Sequence, residues 1–209
     1  MTPNAFAERH PRLWRLSARG SADPIRRHGL RTARSLARLA GHDLADARRA
    51  AALRLTLPDG TPVQITDNAP LSEARLAAIL DDGLTPADWM AMLNDRVFFW
   101  PDRRRGEANL RARRALGYDS EWHVFDTARL LAPAWDRAEI APFNTGATVR
   151  GAPRRGRDTF APLDGLDLAA WRARRRDRGV KAGLDDVAEV TVRGDLPQAA
   201  AALLTVEPA

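Results

Sequence analysis

The sequence contains no cysteine and no long apolar segment, and each absence excludes a class of protein. Without cysteine the chain has no disulfide framework, iron–sulfur cluster, thiolate zinc site or cysteine nucleophile. No apolar run approaches the roughly 18 residues that a membrane span needs, and residues 1–10 lack the basic region and apolar stretch of a secretory signal. The chain is long enough for one domain with its own core. We therefore expect a single cytoplasmic globular domain over residues 1–209.

Several functional motifs are also missing. The four histidines lie far apart, without the i,i+4 spacing or the neighbouring carboxylates of a metal site, so no bound metal is expected. The sequence has no Gly-x-x-x-x-Gly-Lys loop, no Gly-x-Gly-x-x-Gly turn and no Gly-x-Ser-x-Gly elbow. Helix-turn-helix and zinc-finger signatures are absent as well.

Basic residues outnumber acidic residues, and nearly all of the basic residues are arginine. The chain has 33 lysine and arginine residues against 27 aspartate and glutamate residues, a net charge of +6, and all of the basic residues except Lys181 are arginine. Arginine binds phosphates bidentately, so one interpretation is a surface that meets phosphates or other anions. The other interpretation is codon bias in a GC-rich genome, which also accounts for the many alanines. The arginine count alone does not distinguish them.

Hydrophobic periodicity predicts a mixture of strands and helices. Apolar runs and alternation predict strands at residues 13–16, 53–57, 63–65, 96–100, 122–126, 187–192 and 203–206. Amphipathic spacing and capping residues predict helices at residues 23–29, 32–40, 71–80, 103–116 and 166–178, and a helix that opens at Thr85. The many alanines of residues 44–52 predict a further short helix there. Residues 142–164 are predicted to form a loop, of a length that usually marks a functional or disordered segment. A core of about six strands without strict βαβ alternation predicts the α+β class.

Three charged residues at or next to predicted strands are candidates for chemistry. Glu189 lies inside a β-branched strand, where glutamate is disfavoured unless its face is exposed or lines a cleft. The alternative is a solvated outer face that Glu189 shares with Thr191 and Arg193. Arg15 lies within the first predicted strand, and Arg103 follows the aromatic strand and its proline. For both arginines simple solvation is the alternative.

A set of strings resembles a bacterial family of domains of unknown function, and the resemblance spans nearly the whole chain. The strings are Leu13-Trp-Arg-Leu, Ile25-Arg-Arg-His-Gly-Leu30, Asp81-Asp-Gly-Leu-Thr-Pro-Ala-Asp-Trp89, Leu93-Asn-Asp-Arg-Val-Phe-Phe-Trp100, Asn144-Thr-Gly-Ala-Thr148, Thr159-Phe-Ala-Pro-Leu163 and Ala188-Glu-Val-Thr-Val192. The same order of elements is similar, more distantly, to DarT-type toxins. Those toxins fold as ADP-ribosyltransferases and attach ADP-ribose from NAD to bases of single-stranded DNA.

The DarT resemblance implies an ADP-ribosyltransferase-like core, NAD as substrate and no metal. It implies Glu189 and Arg103 as catalytic residues, since Ala188-Glu189-Val190 matches the late catalytic strand and Arg103 follows the aromatic strand. It also implies that NAD is bound by Arg15, Trp14, Leu16, His28, Phe99 and Trp100. The chain departs from the DarT pattern in having Arg15 in place of histidine, no Ser-Pro-Met after Arg103 and an inserted block at residues 44–67.

Basic residues late in the chain are the expected contacts for a nucleic-acid acceptor. The predicted track comprises Arg150, Arg154, Arg155, Arg157 and Arg174, with Trp171 as a stacking platform. A toxin of this type also implies an antitoxin protein as partner. An alternative is a non-catalytic nucleic-acid-binding module on the same fold, for which Glu189 would be dispensable. Two others are an RNA 2′-phosphotransferase-like enzyme, whose Arg-His pairs are not evident, and a helper subunit encoded in the same operon.

Overall fold

The computed structural model describes residues 1–148, 151–177 and 187–209. Its helices are α1 (Pro3–Arg9), α2 (Ala22–His28), α3 (Ala33–Leu39), α4 (Glu73–Ala77), α5 (Pro86–Asn94), α6 (Arg103–Ala115), α7 (Thr127–Leu131) and α8 (Leu168–Asp177). Its strands are β1 (Arg12–Ala18), β2 (Leu53–Thr56), β3 (Pro62–Ile65), β4 (Arg96–Phe99), β5 (Ser120–Asp126), β6 (Ala138–Ala141), β7 (Ala161–Pro162), β8 (Glu189–Arg193) and β9 (Leu203–Pro208). Short 3-10 helices span Ala132–Arg137, Arg157–Thr159 and Ala199–Ala202. The predicted α+β class is confirmed.

The strands form antiparallel sheets of three, two and four strands. The first has the order β1-β5-β9, the second is the β2-β3 hairpin, and the third has the order β4-β8-β6-β7. β8 is therefore an internal strand of the largest sheet, and its residues 189–192 are all buried. Glutamate inside such a strand must face either the core or an internal cavity.

A backbone β-bridge between two tryptophans links the first and third sheets. Trp14 at the middle of β1 and Trp100 just after β4 exchange two backbone hydrogen bonds, with N···O distances of 2.9 and 2.8 Å. Beyond this bridge the Arg15 side chain, rather than a backbone amide, donates to the Phe98 carbonyl of β4, at 3.0 Å. The two sheets thus part where an arginine side chain enters between them.

The largest hydrophobic cluster joins both sheets with the helices that cover them. Phe99 of β4 and Phe125 of β5 pack edge to face, with ring centroids 5.7 Å apart, and both are fully buried. Trp171 of α8 belongs to the same cluster. Each large apolar side chain removed from water contributes about 1.5–3 kcal/mol.

Local signals fix several helix ends as predicted. Thr85 and Asp88 form a reciprocal capping box at the start of α5. Gly29 ends α2 with a φ of 71°, and a Cβ there would lie 2.5 Å from the Leu196 carbonyl oxygen, which is bound to the Leu30 amide. Glycine is therefore required at residue 29 by both backbone conformation and space.

The helix predicted at residues 44–52 is wrong, because this segment is irregular. Arg48 donates to the carbonyls of Leu71 and Ala69, and Arg49 donates to the carbonyl of Thr66. These tertiary contacts hold the segment in an irregular path with bends and override the helix propensity of its alanines. The segment predicted as a loop at 142–164 contains β7 and a 3-10 helix, and α7 and β6 were not predicted.

Among the described residues, no helix is both long and apolar enough to cross a membrane.

Candidate active site

A cavity of about 260 Å³ lies where the first and third sheets part. Arg15 of β1 and Glu189 of β8 both line it, together with Phe98 and Trp100. The β2-β3 hairpin and the polar segment after it close another side, so the inserted block at residues 44–67 forms part of the wall. A second cavity of about 80 Å³ shares Arg15 and Gln64 with the first, which makes the two neighbours along one cleft.

Glu189 is buried at 5% exposure, yet it lines the larger cavity. Its Oε2 accepts hydrogen bonds from the Thr145 hydroxyl, at 2.7 Å, and from the Thr145 amide, at 3.1 Å. No described residue donates to Oε1, which leaves that oxygen for a ligand. Burial raises the pKa of Glu189 to about 7, and the hydrogen bonds from Thr145 and the charge of Arg155 oppose that rise. A carboxyl with such a pKa can exchange a proton near neutral pH.

Arg155 anchors the loop that carries Thr145, the residue that binds Glu189. The Arg155 Nη1 donates to the carbonyls of Thr145 and Ala147, at 3.1 and 3.2 Å, and its guanidinium packs against the Phe143 and Trp89 rings. Burial lowers the pKa of Arg155 to about 10. Arg155 is thus a positioning residue that acts on Glu189 through Thr145.

Arg15 is partly buried and has no carboxylate partner in the described part of the chain. Its Nη1 donates to the Phe98 carbonyl, while its Nε is buried without a hydrogen-bond partner. Burial and the nearby charge of Arg113 lower the pKa of Arg15 to about 10, so it remains cationic at neutral pH. A buried cation without a counter-ion favours an anionic ligand in the cavity.

The other residues predicted to bind NAD are divided between cleft and core. Leu16 and Trp100 line the larger cavity, and His28 lines the smaller one, where its Nε2 lies 3.1 Å from an Asp59 oxygen. Phe99 is buried in the main core, and Trp14 packs edge to face on Trp122 and lines neither cavity. Because successive strand residues face opposite sides, Phe98 takes the cavity position that was predicted for Phe99.

Arg103 lies apart from Glu189. It begins α6, donates to Glu207 of β9 at 3.0 Å, and lies over the rings of Trp14 and Trp122. Trp14 and Arg15 are consecutive on β1 and point to opposite faces, so Arg103 packs on the face that Arg15 does not use. The structure therefore joins Glu189 with Arg15 rather than with Arg103.

The predicted nucleic-acid track is only partly on the surface. Arg155 and Trp171 are buried at 1% exposure each, which corrects their prediction as nucleic-acid contacts. Arg154 is exposed and pairs with Asp81, through an Nε to Oδ1 distance of 3.0 Å. Arg157 and Arg174 are exposed, whereas Arg150 lies outside the described residues. In the described parts of the chain, no group of His, Asp and Glu side chains is arranged to hold a metal ion.

Two residues of the site, Thr145 beside Glu189 and Arg113 in the cavity wall, were not singled out from the sequence. Thr145 stands in the string Asn144-Thr-Gly, but nothing in the sequence connects it to Glu189 across 44 residues. Arg113 was counted within a basic helix. The sequence signal for the burial of Arg113 is its spacing. Gly106, Leu110 and Arg113 repeat at i, i+4 and i+7, and these three are the buried residues of α6.

Comparison with curated proteins and with solved structures found no match. A family model described as a family of unknown function (DUF7002) matches residues 11–203, and this range includes Arg15, Thr145 and Glu189. The match covers most of the chain, and the protein therefore belongs to this family of unknown function, DUF7002.

Proposed function

We propose that the protein is an NAD-dependent ADP-ribosyltransferase that transfers ADP-ribose to a nucleic-acid base, as the resemblance to DarT-type toxins implies. The observation that carries the proposal is the meeting of Arg15 and Glu189 in one cavity, although they come from different sheets and are separated by most of the chain. The cleft combines an uncompensated cation, a carboxyl with a free oxygen and the aromatic side chains of Phe98 and Trp100. These are the features that a phosphate, a ribose and a planar base require.

The chemistry suits the two charged residues. In NAD the glycosidic bond joins the ribose C1′ to the nicotinamide nitrogen, and its cleavage develops positive charge on the ribose as neutral nicotinamide leaves with the bonding electron pair. The acceptor nitrogen then forms the new bond to C1′. The Glu189 carboxylate stabilises that charge, and its free Oε1 orients a ribose hydroxyl or takes the proton that the acceptor nitrogen loses. Arg15 holds a phosphate group through nitrogens that no described residue engages. Arg155, through Thr145, keeps Oε2 occupied and fixes the carboxylate in place.

The proposed acceptor is single-stranded DNA, with exposed Arg157 and Arg174 as contacts to its backbone. The net charge of +6 favours association with a polyanion. We place the reaction in the cytoplasm, where NAD and nucleic acid are both available.

The test is transfer of label from NAD carrying a labelled adenylate. Purified protein and this NAD are incubated, in separate reactions, with single-stranded DNA, duplex DNA, RNA or a protein mixture. We expect label on single-stranded DNA with the wild-type protein and a loss of at least 100-fold with Glu189→Gln. The control Glu8→Gln changes an exposed carboxylate on α1 and retains full transfer.

Both variants are first shown to fold by circular dichroism and thermal unfolding. Absence of label on every acceptor, together with no measurable NAD binding, would refute the proposal. Undiminished transfer by folded Glu189→Gln would remove Glu189 from the mechanism.

A further inference from the structure

The larger cavity has an excess of arginine in its wall. Among the described residues that line it are five arginines and two carboxylates, Asp67 and Glu189. Two of the arginines are neutralised by partners outside the cavity, since Arg31 pairs with Asp195 at 3.0 Å and Arg96 pairs with Glu139 at 2.7 Å. The other three, Arg15, Arg49 and Arg113, have no carboxylate in salt-bridge contact within the described chain.

These three guanidinium groups also have unused donors. Arg113 is 5% exposed, and its Nη2 is buried with no hydrogen-bond partner, like the Nε of Arg15. Arg49 donates through Nε and Nη1 and has no described acceptor for Nη2. An unpaired donor on a buried charged group costs several times more than one on an exposed group. Two such buried donors, on Arg15 and Arg113, beside a partly buried Arg49 that has a spare donor, are therefore a property of a binding site rather than of a core.

The protein holds Arg49 and Arg113 in fixed positions. The Arg113 Nε donates to the Ser120 hydroxyl at 3.1 Å, and its guanidinium lies over the Tyr118 ring at 4.9 Å. The Arg49 Nη1 donates to the Asn94 amide oxygen at 3.0 Å, and Asn94 is itself buried. Fixed side chains lose less conformational entropy when a ligand binds.

Asp67 is the carboxylate that faces these arginines, and it compensates for them in part. Its charge raises the pKa of both Arg49 and Arg113, against the larger effect of burial, which lowers them. One of its oxygens already accepts a hydrogen bond from the Ala69 amide, at 3.1 Å. Asp46 also raises the pKa of Arg49, but Asp46 is already paired with Arg34 at 2.8 Å. The three arginines therefore keep a net positive charge on this side of the cavity.

We propose that Arg113 and Arg49 form, with Arg15, a subsite for the diphosphate group of a dinucleotide. The proposal rests on the proposed function for the role of Arg15, and it adds two residues from α6 and from the inserted block. A diphosphate carries two or more negative charges and several acceptor oxygens, and guanidinium forks match that geometry. The rest of the wall suits the attached nucleosides, because the aromatic rings of Phe98 and Trp100 and the amides of Gln64 and Asn109 line the same cavity.

The subsite is tested by calorimetry without any turnover. The probes are inorganic pyrophosphate, ADP and ADP-ribose, with adenosine and nicotinamide riboside as compounds that lack a phosphate. We expect Arg113→Gln to weaken the binding of ADP-ribose by about tenfold or more, which corresponds to about 1.4 kcal/mol, since it removes one charge-assisted contact. We expect Arg49→Gln to weaken ADP-ribose binding as well, and this variant tests the subsite if Arg113→Gln does not fold. Arg114→Gln, an exposed arginine on the same helix, leaves the dissociation constant within about twofold.

The outcomes separate the subsite from the proposed function. Binding of pyrophosphate and ADP-ribose that depends on Arg113 or Arg49 supports the subsite even if no label is transferred from NAD. If the wild-type protein binds none of the phosphate-bearing probes, or if both variants bind them unchanged, the subsite is refuted. The proposed ADP-ribose transfer is then decided by the labelling experiment alone. Displacement of pyrophosphate by a short DNA oligonucleotide, and not by ADP-ribose, would assign the arginines to the acceptor strand and overturn the proposal.

Discussion

At the scale of single residues, the surroundings of Glu189 determine the pH at which its carboxyl group ionises. Burial raises its pKa to about 7, and the Thr145 hydroxyl and amide both lower it again. Below pH 7 the protonated form therefore predominates, and a reaction that needs the carboxylate gains rate as the pH rises through that value. The Thr145 hydroxyl is the one donor of this pair that a substitution can remove.

Thr145→Val deletes the hydroxyl and keeps the backbone amide and the branched shape. A hydrogen bond to a charged group contributes about 1.5–3 kcal/mol, and one pKa unit corresponds to about 1.4 kcal/mol. We expect the rising limb of the pH profile of kcat/KM to move about one unit or more to higher pH. Thr205→Val, an exposed threonine on β9, leaves the profile in place. A profile that does not move with Thr145→Val would show that Glu189 is not the titrating group.

At the scale of elements, sequence patterns predicted those segments whose signals are local. The start of α5 at Thr85, the strand β8 and the strands β2 and β3 on either side of residues 57–61 depend on neighbours within a few positions, and all are present. Residues 44–52 depend instead on Arg48 and Arg49 reaching distant carbonyls, and their alanine content was misleading. For the site, Glu189 and Arg15 could be selected because charged residues inside strands are unusual. Thr145 and Arg49 could not, because their roles arise from contacts between distant segments. The spacing of Arg113 from Gly106 and Leu110 indicates that it is buried, but not that it lines the cavity.

Gly106 shows how α6 is seated on the first sheet. A Cβ at this position would lie 2.4 Å from the Trp122 ring and 3.0 Å from the Trp100 ring, so the helix packs on the sheet through a bare backbone. In an exposed helix, glycine to alanine stabilises by about 1 kcal/mol. Here the clash reverses the sign, and we expect Gly106→Ala to lower the free energy of unfolding by about 1–3 kcal/mol in denaturant titrations.

The matched control for Gly106 is Ala108→Gly, an exposed position on the same helix, which loses about 1 kcal/mol through propensity alone. Because α6 also carries Arg113, a shifted helix should weaken ADP-ribose binding in Gly106→Ala and leave it unchanged in Ala108→Gly. A more stable Gly106→Ala protein would show that the helix is free to move away from the tryptophans.

At the scale of the whole molecule, two sheets and the inserted block each contribute a charged residue to the cleft. The four-stranded sheet carries Glu189, the three-stranded sheet carries Arg15, and the inserted block carries Arg49, so the cleft exists only when all three are assembled. The arginines divide in a similar way. Some are buried around the cavity or under its loops, and others, such as Arg157 and Arg174, remain on the surface.

The surface arginines predict a salt dependence that is separate from catalysis. Binding of single-stranded DNA releases counterions, so the logarithm of the affinity falls with the logarithm of the salt concentration by about 0.7 for each phosphate neutralised. We expect the double variant Arg157→Gln, Arg174→Gln to reduce this slope by about 1.4, and Arg38→Gln, an exposed arginine on α3, to leave it unchanged. Fluorescence anisotropy of a labelled oligonucleotide over a salt series measures each slope.

Glu189→Gln distinguishes an enzyme from a binding module in the same experiment. Glu189 lies inside the cleft and contributes no surface charge, so the variant should bind the oligonucleotide with the wild-type affinity and slope while losing transfer. If DNA binding is strong and salt-dependent but NAD is neither bound nor consumed, the non-catalytic nucleic-acid-binding alternative replaces the enzyme. If the affinity for DNA is weak and insensitive to salt, the acceptor belongs to another class, and the cleft has to be tested with protein and small-molecule nucleophiles.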